Sequence, residues 1–600
     1  MLERQRELAE LHARLKAVTE GEGQAVAIEA EAGLGKTRLL AEARSVAGSI
    51  GLTDLSARAT ELERDFPFAL VRQLFGSRLA ALTPEDRDRV LEGASSARAA
   101  LGLGGQDNRE PDSFAVLHGL YWVTAALAEE GPLLIEIDDA HWADASSLDY
   151  LRFLLPRLGE LPVLLVIAAR PDQSRLREEL RQILADPAVL RLSPAPLSEK
   201  ATSVLLADAL GRDPESAFAA ACHQQSGGNP FLICELARTL GEREVEPRDA
   251  EAELVRELAP ERVAHWVTLR IQRLSLAAGA VARALAVLGD GSDLRLVASM
   301  AGLQLEAARR AVDELSRSAI LDGDPALHFI HPLVRNAVYA GLAAAERGQA
   351  HATATDLLRE RDADPERISV HLLATDPRGQ PEAVETLIEA ADMAVASGAF
   401  RSSIVYLSRA LREPPPLERR PAVLGRLITA TVRAADQETW AAIEADVLAE
   451  LEREPPLRTR WAIPLTMAMV LGGRFEEAGS MLEQAVEVAV EEGDVERAFQ
   501  LEAQRRTIGM LVPGLPEVDL GPYAEQIDPD SSAGRLAAAM KAGSAIAGGT
   551  AKEAAEAAKR ALAGGVIFRE QPELTTPGLA LTTLVIANEL DAAREAVERS

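Results

Sequence analysis

The stretch that decides the fold is AVAIEAEAGLGKTRLL at residues 25–40. Its first residues form an apolar run and its last residues have a helical pattern, so the stretch predicts a strand, a glycine-rich turn and a helix. Gly33 and Gly35 let the backbone curl so that successive N–H groups point inward. A helix that begins at Lys36 adds its positive end. This arrangement binds phosphate groups, with Lys36 on the β- and γ-phosphates and the Thr37 hydroxyl on Mg²⁺.

The turn departs at one position from the phosphate-binding pattern G-x-x-x-x-G-K-[ST], because Ala30 stands where that pattern has its first glycine. Alanine fits most turn conformations unless φ must be positive, so we expect the change to affect affinity more than the identity of the loop. The alternative is a chance helix start with a lysine. The candidate nucleotide-binding residues of the loop are Ala30, Glu31, Ala32, Gly33, Leu34, Gly35, Lys36, Thr37 and Arg38.

A second apolar run, at residues 133–137, ends in the acidic pair Asp138 and Asp139. Its near-continuous apolar character is typical of a strand buried on both faces of a parallel sheet. Ligands bind beyond the carboxyl ends of such strands. We therefore expect Asp138 to hold Mg²⁺ together with Thr37, and Asp139 to orient or deprotonate an attacking water. An acidic turn after a core strand is the alternative.

A third apolar run, VLLVIA at residues 163–168, is followed by Arg170. If this run is a neighbouring strand, its end lies at the same edge of the sheet as the phosphate-binding loop. Arg170 is then a candidate catalytic residue that senses the γ-phosphate. An exposed loop arginine is an equally good interpretation of the sequence.

Composition limits the possible functions. The chain has 600 residues, 47% apolar and only 4% aromatic, with a net charge of −29. This predicts several mostly helical domains and disfavours nonspecific binding to DNA or anionic lipid. Cys222 and Cys234 indicate a reducing compartment, and no cysteine–histidine spacing indicates a zinc site. No apolar run approaches the roughly 18 residues of a membrane span, and the charged amphipathic start is not a secretory signal, so we expect a cytoplasmic protein.

Four regions follow from the pattern of the chain, giving a multidomain fold with α/β and all-α parts. Alternating apolar strands and helices predict a parallel-sheet phosphate-binding core over residues 1–195. Residues 196–259 predict a helical lid and a charged linker. Three helices and a hairpin at residues 260–345 resemble a winged helix. Residues 346–600 repeat pairs of helices and suit a solenoid of the tetratricopeptide type.

Three segments leave alternatives open. The turn SGGNP at residues 226–230 places Pro230 at the start of a helix, where it could aim backbone groups at a nucleotide or simply join two helices. His331 could sense a nucleotide or be a satisfied structural residue. Residues 83–112 are rich in Gly, Ser, Asp and Arg, and they predict an insertion or a mobile loop.

The motifs described above, together with other short blocks along the chain, occur in an order that resembles the large ATP-binding regulators of the LuxR type. These regulators are a branch of the signal-transducing STAND NTPases within the AAA+ group. The resemblance implies that Glu3 and Arg4 lie near the adenine, that the turn at Pro230 contacts the nucleotide from the lid, and that the helical repeats bind an inducer or a partner protein. The blocks that carry it are ERQREL, EAGLGKTRLL, ELERDFPFALVRQLF, LHGLYW, DDAHWAD, the arginine in AARP, SGGNPFL and HFIHPLVRNAVY.

The chain departs from this family in having no C-terminal helix-turn-helix. We therefore expect no direct DNA binding, and the chain could be a fragment. The nucleotide-binding part also resembles the one attached to soluble adenylyl cyclases, but no cyclase domain is present.

Two functional hypotheses remain. The first is a switch that binds ATP and Mg²⁺, hydrolyses ATP slowly, and controls an unknown protein or small-molecule effector or a nucleotide-dependent oligomer through its helical repeats. The second is a helical-repeat scaffold that holds a nucleotide as a structural element with little or no turnover. A kinase is a third possibility, but no second substrate pocket is evident.

Overall fold

The structure is a computed structural model that describes residues 1–104, 113–171, 176–257, 271, 274–322, 327–330, 332–511, 526–567 and 576–598. The packing of these residues divides them into two compact units, one within residues 1–402 and one within residues 403–600. His331, for which the sequence leaves a sensor role and a structural role open, lies outside the described residues. Within the described ranges, no helix has both the length and the apolar character needed to cross a bilayer.

A five-stranded parallel sheet is the centre of the first unit, as the sequence predicts. The strand order is β2-β3-β4-β1-β5. Gln24 pairs with Leu164, and Leu133 pairs with both Val163 and Thr53, so four strands are in register and end at one edge. The strands are β1 (Gln24–Glu29), β2 (Thr53–Arg58), β3 (Leu133–Asp138), β4 (Val163–Ala169) and β5 (Val189–Leu192).

Helices cover the faces of this sheet. Leu11 and Leu15 of the first helix and Leu39 of the second pack against Val26 and Val166 of the central strands. This burial of aliphatic side chains fixes where the second helix begins relative to the sheet edge. The helices are α1 (Gln5–Thr19), α2 (Lys36–Ser49), α3 (Ala69–Ala81), α4 (Pro84–Val90), α5 (Ser113–Glu130), α6 (Ala145–Leu154) and α7 (Glu178–Ala185).

Residues 83–104 differ from the predicted loop. They contain α4 and a short 3₁₀ turn, Ser95–Ala97. Thr83 caps α4, because its side chain accepts a hydrogen bond from the Asp86 backbone N–H, and Val90 and Ala97 are buried. The polar composition of this segment concealed a capped helix. The rest of the predicted loop, residues 105–112, lies outside the described residues.

A small helical layer follows the sheet. Phe218 and Cys222 pack with Ile233 and Leu236 in its core. Part of the predicted linker belongs to this core, because Val255 is fully buried in it despite the charged sequence around it. The helices are α8 (Glu199–Leu210), α9 (Ser216–Ser226), α10 (Pro230–Glu242) and α11 (Ala252–Glu257).

The predicted three helices and hairpin are present at residues 276–329. The two short strands are antiparallel, with Leu321 opposite Phe329. Further helices continue the unit after the hairpin. The elements are α12 (Leu276–Leu288), α13 (Leu294–Met300), α14 (Leu305–Arg317), β6 (Leu321–Asp322), β7 (His328–Phe329), α15 (Pro332–Ala340), α16 (Ala344–Arg359), α17 (Pro365–Leu373) and α18 (Pro381–Ala396). The next helix, α19 (Phe400–Arg412), begins in this unit, and its residues from Ser403 onward belong to the second.

The described part of the second unit is helical, which confirms the predicted helical repeat region. Small residues let neighbouring helices approach closely, and alanines such as Ala485, Ala539 and Ala558 are fully buried. The tetratricopeptide type of the repeat stays a prediction. The helices are α20 (Arg420–Ala434), α21 (Gln437–Arg453), α22 (Leu457–Leu471), α23 (Phe475–Glu491), α24 (Val495–Leu511), α25 (Ser532–Gly548), α26 (Ala551–Ala561), α27 (Thr576–Ile586) and α28 (Leu590–Glu598).

Candidate functional site

The loop between β1 and α2 needs glycine at two positions. Gly33 and Gly35 have φ values of 86° and 94°, a left-handed conformation that residues with a Cβ rarely adopt. Gly33 also needs space, because a Cβ there would lie 2.5 Å from the Asn229 side-chain oxygen. Ala30, the departure from the motif, is buried and has no positive φ. The loop therefore keeps its expected shape without a glycine at position 30.

The beginning of α2 is suited to hold an anion. Gly35 is the N-cap residue of this 14-residue helix, and no side chain among the described residues caps it. The first N–H groups of a helix have no partner within the helix and carry the positive end of its dipole. They face the loop formed by Gly33 and Gly35. This geometry fits a chain of phosphate groups.

The Lys36 side chain lies over the same loop. Its Nζ donates to the carbonyl oxygens of Ala30 at 2.7 Å and Glu31 at 3.2 Å. The side chain is buried, and this burial lowers its pKa against the opposing effect of Asp139 and Asp138. The loop carbonyls thus hold the ammonium group in place, while its charge can act on a phosphate.

Thr37 and Asp138 meet at the sheet edge, as the sequence predicts. The Thr37 hydroxyl donates to Asp138 Oδ2 at 2.7 Å. Burial and the neighbouring Asp139 raise the pKa of Asp138. A hydroxyl and a carboxylate are hard oxygen donors of the kind that Mg²⁺ prefers. Within the described ranges no group of three or more His, Cys, Asp and Glu side chains is placed to hold a metal, so phosphate oxygens would complete this site.

Asp139 is fixed by its backbone and by an arginine. Its φ is 52°, and its N–H donates to Asp138 Oδ1 at 2.9 Å. Arg58, the last residue of β2, lies with Nη2 3.5 Å from Asp139 Oδ2. The strand order brings the ends of β2 and β3 side by side, so this contact follows from the topology. The sequence analysis did not include Arg58, although it ends a strand at the predicted ligand edge.

The predicted lid turn contacts the loop directly. Asn229 caps α10 with its side-chain oxygen, which accepts from the backbone N–H groups of Phe231 and Leu232. Its side-chain nitrogen donates to the Ala32 carbonyl at 2.8 Å. The Phe231 N–H donates to the Gly33 carbonyl at 3.3 Å. Two hydrogen bonds therefore connect the lid turn to the loop.

A cavity of about 390 Å³ lies between the loop and α10, large enough for a small organic ligand. Arg170, directly after β4, contributes to it from the sheet edge, and Arg38 and Ala41 contribute from α2. Its remaining lining residues are Ala32, Gly33, Gly35, Lys36, Thr37, Asp139, Pro230, Phe231 and Cys234.

Arg4 is placed behind the loop. Its buried guanidinium donates to the carbonyl oxygens of Leu34 at 3.3 Å and Ala195 at 2.6 Å. The preceding Glu3 accepts from the backbone N–H of Ser198 at 2.8 Å and from its hydroxyl at 2.5 Å. Glu3 and Arg4 thus connect the start of the chain to the loop and to the segment that leads into α8.

The structure brings most of the predicted site residues together. Those that do not line the cavity act on it through others: Ala30 and Glu31 hold Lys36, Leu34 accepts from Arg4, and Asp138 holds Thr37. The sequence analysis missed the roles of Asn229 and Phe231, and the lining residues Ala41 and Cys234. An asparagine before a helix-opening proline is an N-cap signal, so Asn229 could have been singled out.

Residues 1–167 match the family model described as AAA ATPase domain. Over 399 residues the chain is 26% identical to an uncharacterized protein of Rhizobium meliloti, and this alignment covers 58% of the chain and 36% of that protein. The chain therefore spans well under half the length of the curated relative that it matches.

Three solved structures are similar at low identity. The first is a STAND protein with a tetratricopeptide repeat sensor from Pyrococcus horikoshii, with a TM-score of 0.39, 14% identity, and coverage of 98% of this chain and 88% of that chain. The second is a Walker-type ATPase of Pyrococcus abyssi, with a TM-score of 0.31, 14% identity, and coverage of 56% and 96%.

The third is the ORC1 protein of Aeropyrum pernix in complex with DNA, with a TM-score of 0.30, 17% identity, and coverage of 57% and 93%. The family match covers residues 1–167, a range that includes the loop, α2 and the Asp138–Asp139 pair. In sequence, residues 1–167 of this chain are similar to an AAA ATPase domain.

Proposed function

We propose that the chain is an ATP-operated switch of the STAND type, in which the AAA ATPase domain binds ATP with Mg²⁺ and hydrolyses it slowly. The observation that carries the proposal is the cavity that the phosphate-binding loop shares with the lid turn, where Asn229 donates to Ala32 and Phe231 donates to Gly33. A ligand in that cavity touches both elements. Its phosphate groups can therefore change how the lid sits on the loop.

The side chains of the site fit this chemistry. Lys36 and Arg170 supply positive charge for the phosphates, and Thr37 with Asp138 would hold the metal, which neutralises charge on the transferred phosphoryl group. Asp139, restrained by Arg58, would orient the attacking water. Bound ATP can shift the protein between arrangements only by binding one of them more tightly than the other.

The helical repeats would carry the output of the switch. We propose that they bind a protein or a small-molecule effector, in the manner of LuxR-type regulators with repeats of the tetratricopeptide kind. The net charge of −29 disfavours direct contact between these 600 residues and DNA. We also propose that ATP and ADP favour different oligomeric states.

A nucleotide-stabilised scaffold is the second candidate. It is favoured by the two hydrogen bonds that connect lid and loop, because a lid held in this way slows release of a nucleotide. The two candidates differ in turnover. The scaffold binds ATP and releases no phosphate, with or without a partner, whereas the switch releases phosphate.

The test is ATP binding and phosphate release by the full chain and by Lys36→Ala. We expect the substitution to weaken ATP binding by about 100-fold, because it removes a charge-assisted contact to the phosphates. Lys16→Ala is the matched control, since Lys16 is an exposed lysine of α1 whose Nζ lies 3.9 Å from Glu20 Oε1. Unchanged affinity in Lys36→Ala contradicts the assignment. Sedimentation in ATP and in ADP then tests for the change of assembly.

A further inference from the structure

His141 is a buried histidine whose role the proposed function leaves open. It lies in the 3₁₀ turn Ala140–Trp142 that directly follows Asp139. Its side chain is only 9% exposed, and within the part of the chain that the structure describes neither ring nitrogen has a hydrogen-bond partner. Buried polar groups are normally hydrogen-bonded, so an unpartnered one often marks a functional site.

Two other buried histidines of the same unit show what a structural histidine does here. His351 and His371 are both buried, and their Nδ1 atoms lie 2.9 Å apart. His351 Nε2 also lies 2.9 Å from the Tyr339 hydroxyl. The structural histidines therefore use their nitrogens within the fold. His141 does not, although its side chain is only 9% exposed.

The surroundings of His141 are those of the candidate catalytic site. Its Nδ1 lies 4.0 Å from Asp139 Oδ1, and its ring packs against the Trp142 ring with centroids 5.2 Å apart. Burial, together with the positive charges of Arg170 and Lys36, lowers the pKa of His141 to about 3. The imidazole is therefore neutral and offers one donor and one acceptor.

Asp139 has one oxygen restrained and the other beside His141. Arg58 lies 3.5 Å from Oδ2, and the backbone N–H of Asp139 is held by Asp138. The polar group beside Oδ1 is the imidazole. A shortening of about 1 Å would bring Nδ1 within hydrogen-bond distance of Oδ1. Catalytic hydrogen bonds often tighten in the complex that reacts.

We propose that His141 is a positioning residue for Asp139, with its Nδ1–H donating to Oδ1 when ATP is bound. The inference rests on the proposed function, because it concerns the carboxylate that orients the attacking water. Arg58 on one oxygen and His141 on the other fix the plane of the carboxylate. The water is then held in line with the phosphorus atom.

The test compares ATP hydrolysis by His141→Leu and His141→Asn. Leucine fills the space without a donor, whereas asparagine places an N–H near the position of Nδ1. We expect kcat to fall by about 100-fold in the leucine variant, with ATP affinity changed less than about threefold, because a misplaced catalytic group lowers the rate and not the binding. The asparagine variant recovers most of the rate.

A double variant separates positioning from packing. If His141 acts through Asp139, then Asp139→Asn combined with His141→Leu hydrolyses ATP no more slowly than Asp139→Asn alone. Additive losses, or full activity in His141→Leu, overturn the inference while leaving the proposed switch intact. A wild-type chain that binds ATP and releases no phosphate overturns the proposed hydrolysis, and this inference with it. Melting temperatures of all variants identify any that fail to fold.

Discussion

The two units bury charge in different ways. In the second unit, buried acids are paired with arginines of the same or a neighbouring helix. Glu413 pairs with Arg409, and both side chains are 2% exposed. Glu450 contacts Arg453 and lies 3.6 Å from Arg420. These charges neutralise one another, so they stabilise the packing of helices and leave no net field in the core.

At the sheet edge of the first unit, the buried charges of Lys36 and Asp138 contact neutral groups instead. Lys36 donates to backbone carbonyls, and Asp138 accepts from a hydroxyl. Such charges cost free energy to bury and are not compensated by an ion pair at hydrogen-bond distance. The comparison teaches that the paired charges of the second unit stabilise helix packing, whereas the charges of Lys36 and Asp138, whose partners are neutral, are available for chemistry.

The largest effect expected from this comparison is on turnover in Asp138→Asn. The amide keeps the shape but loses the charge that would hold the metal, so we expect ATP hydrolysis to fall by about 100- to 1000-fold. Phosphate release at several Mg²⁺ concentrations measures it. Asp88→Asn, an exposed acid of α4, is the control. Hydrolysis at the wild-type rate would show that the charge of Asp138 has no chemical role, which contradicts the comparison for the first unit.

A smaller effect, on stability alone, is expected for Arg409→Met. The substitution removes the guanidinium of the buried Arg409–Glu413 pair, and breaking a buried pair costs about 3 kcal/mol of unfolding free energy. The urea-induced unfolding transition of the second unit measures this loss of unfolding free energy. ATP affinity should stay at the wild-type value. A change in affinity without a change in stability would show that paired charges also serve the site.

Glu136 sharpens the comparison, because it is a paired charge inside the first unit. Its carboxylate accepts from Arg44 Nε at 2.9 Å, yet burial raises its pKa from the ordinary 4.5 to about 7. The folded state therefore binds this proton more tightly than the unfolded state. The resulting stability is fully present below pH 4.5 and is lost as the pH rises through about 7.

Glu136→Gln removes the titrating carboxyl group, so the unfolding free energy should decline less steeply between pH 4.5 and about pH 7. The difference from wild type amounts to about 3 kcal/mol at most, at about 1.4 kcal/mol for each pKa unit. Denaturant unfolding at a series of pH values measures the slope. Glu366, beside Arg72, also has its pKa raised to about 7 by burial, so a smaller slope remains in the variant. Equal slopes in both proteins contradict the assignment.

The smallest effect is expected for Asn229→Ala, which removes the cap of α10 and the contact with Ala32. We expect a loss of about 1 kcal/mol in stability from the cap and about tenfold weaker ATP binding from the lid contact. Asp293→Ala is the matched control, because Asp293 caps α13 in the same way without touching the loop. Equal ATP affinity in the two variants would show that the lid turn makes no contribution to ATP binding.

The parts of the site that the sequence predicts are those with local signals. The glycine turn, Lys36 and Thr37 lie within one short stretch, and Asp138 follows an apolar strand. Parallel strand order then brings them to one edge without further information. The fold follows in the same way, because alternating apolar runs and helices specify a parallel sheet.

Contacts between distant parts of the chain could not be predicted. Asn229 is 197 residues from Ala32, and Arg58 reaches Asp139 only because β2 pairs with β3. The charged sequence around Val255 and the polar sequence before Val90 indicated loops, but each segment buries one apolar face in the structure. Burial of a short face is set by its neighbours, which composition does not reveal.

The bonds of Glu3 and Arg4 have a practical meaning for anyone handling this protein. The third and fourth residues are fastened to the backbone of Leu34, Ala195 and Ser198. A disturbance of residues 3 and 4 therefore reaches the backbone behind the loop between β1 and α2. Affinity tags and fluorescent labels for binding assays belong elsewhere on the chain, where they leave these hydrogen bonds intact.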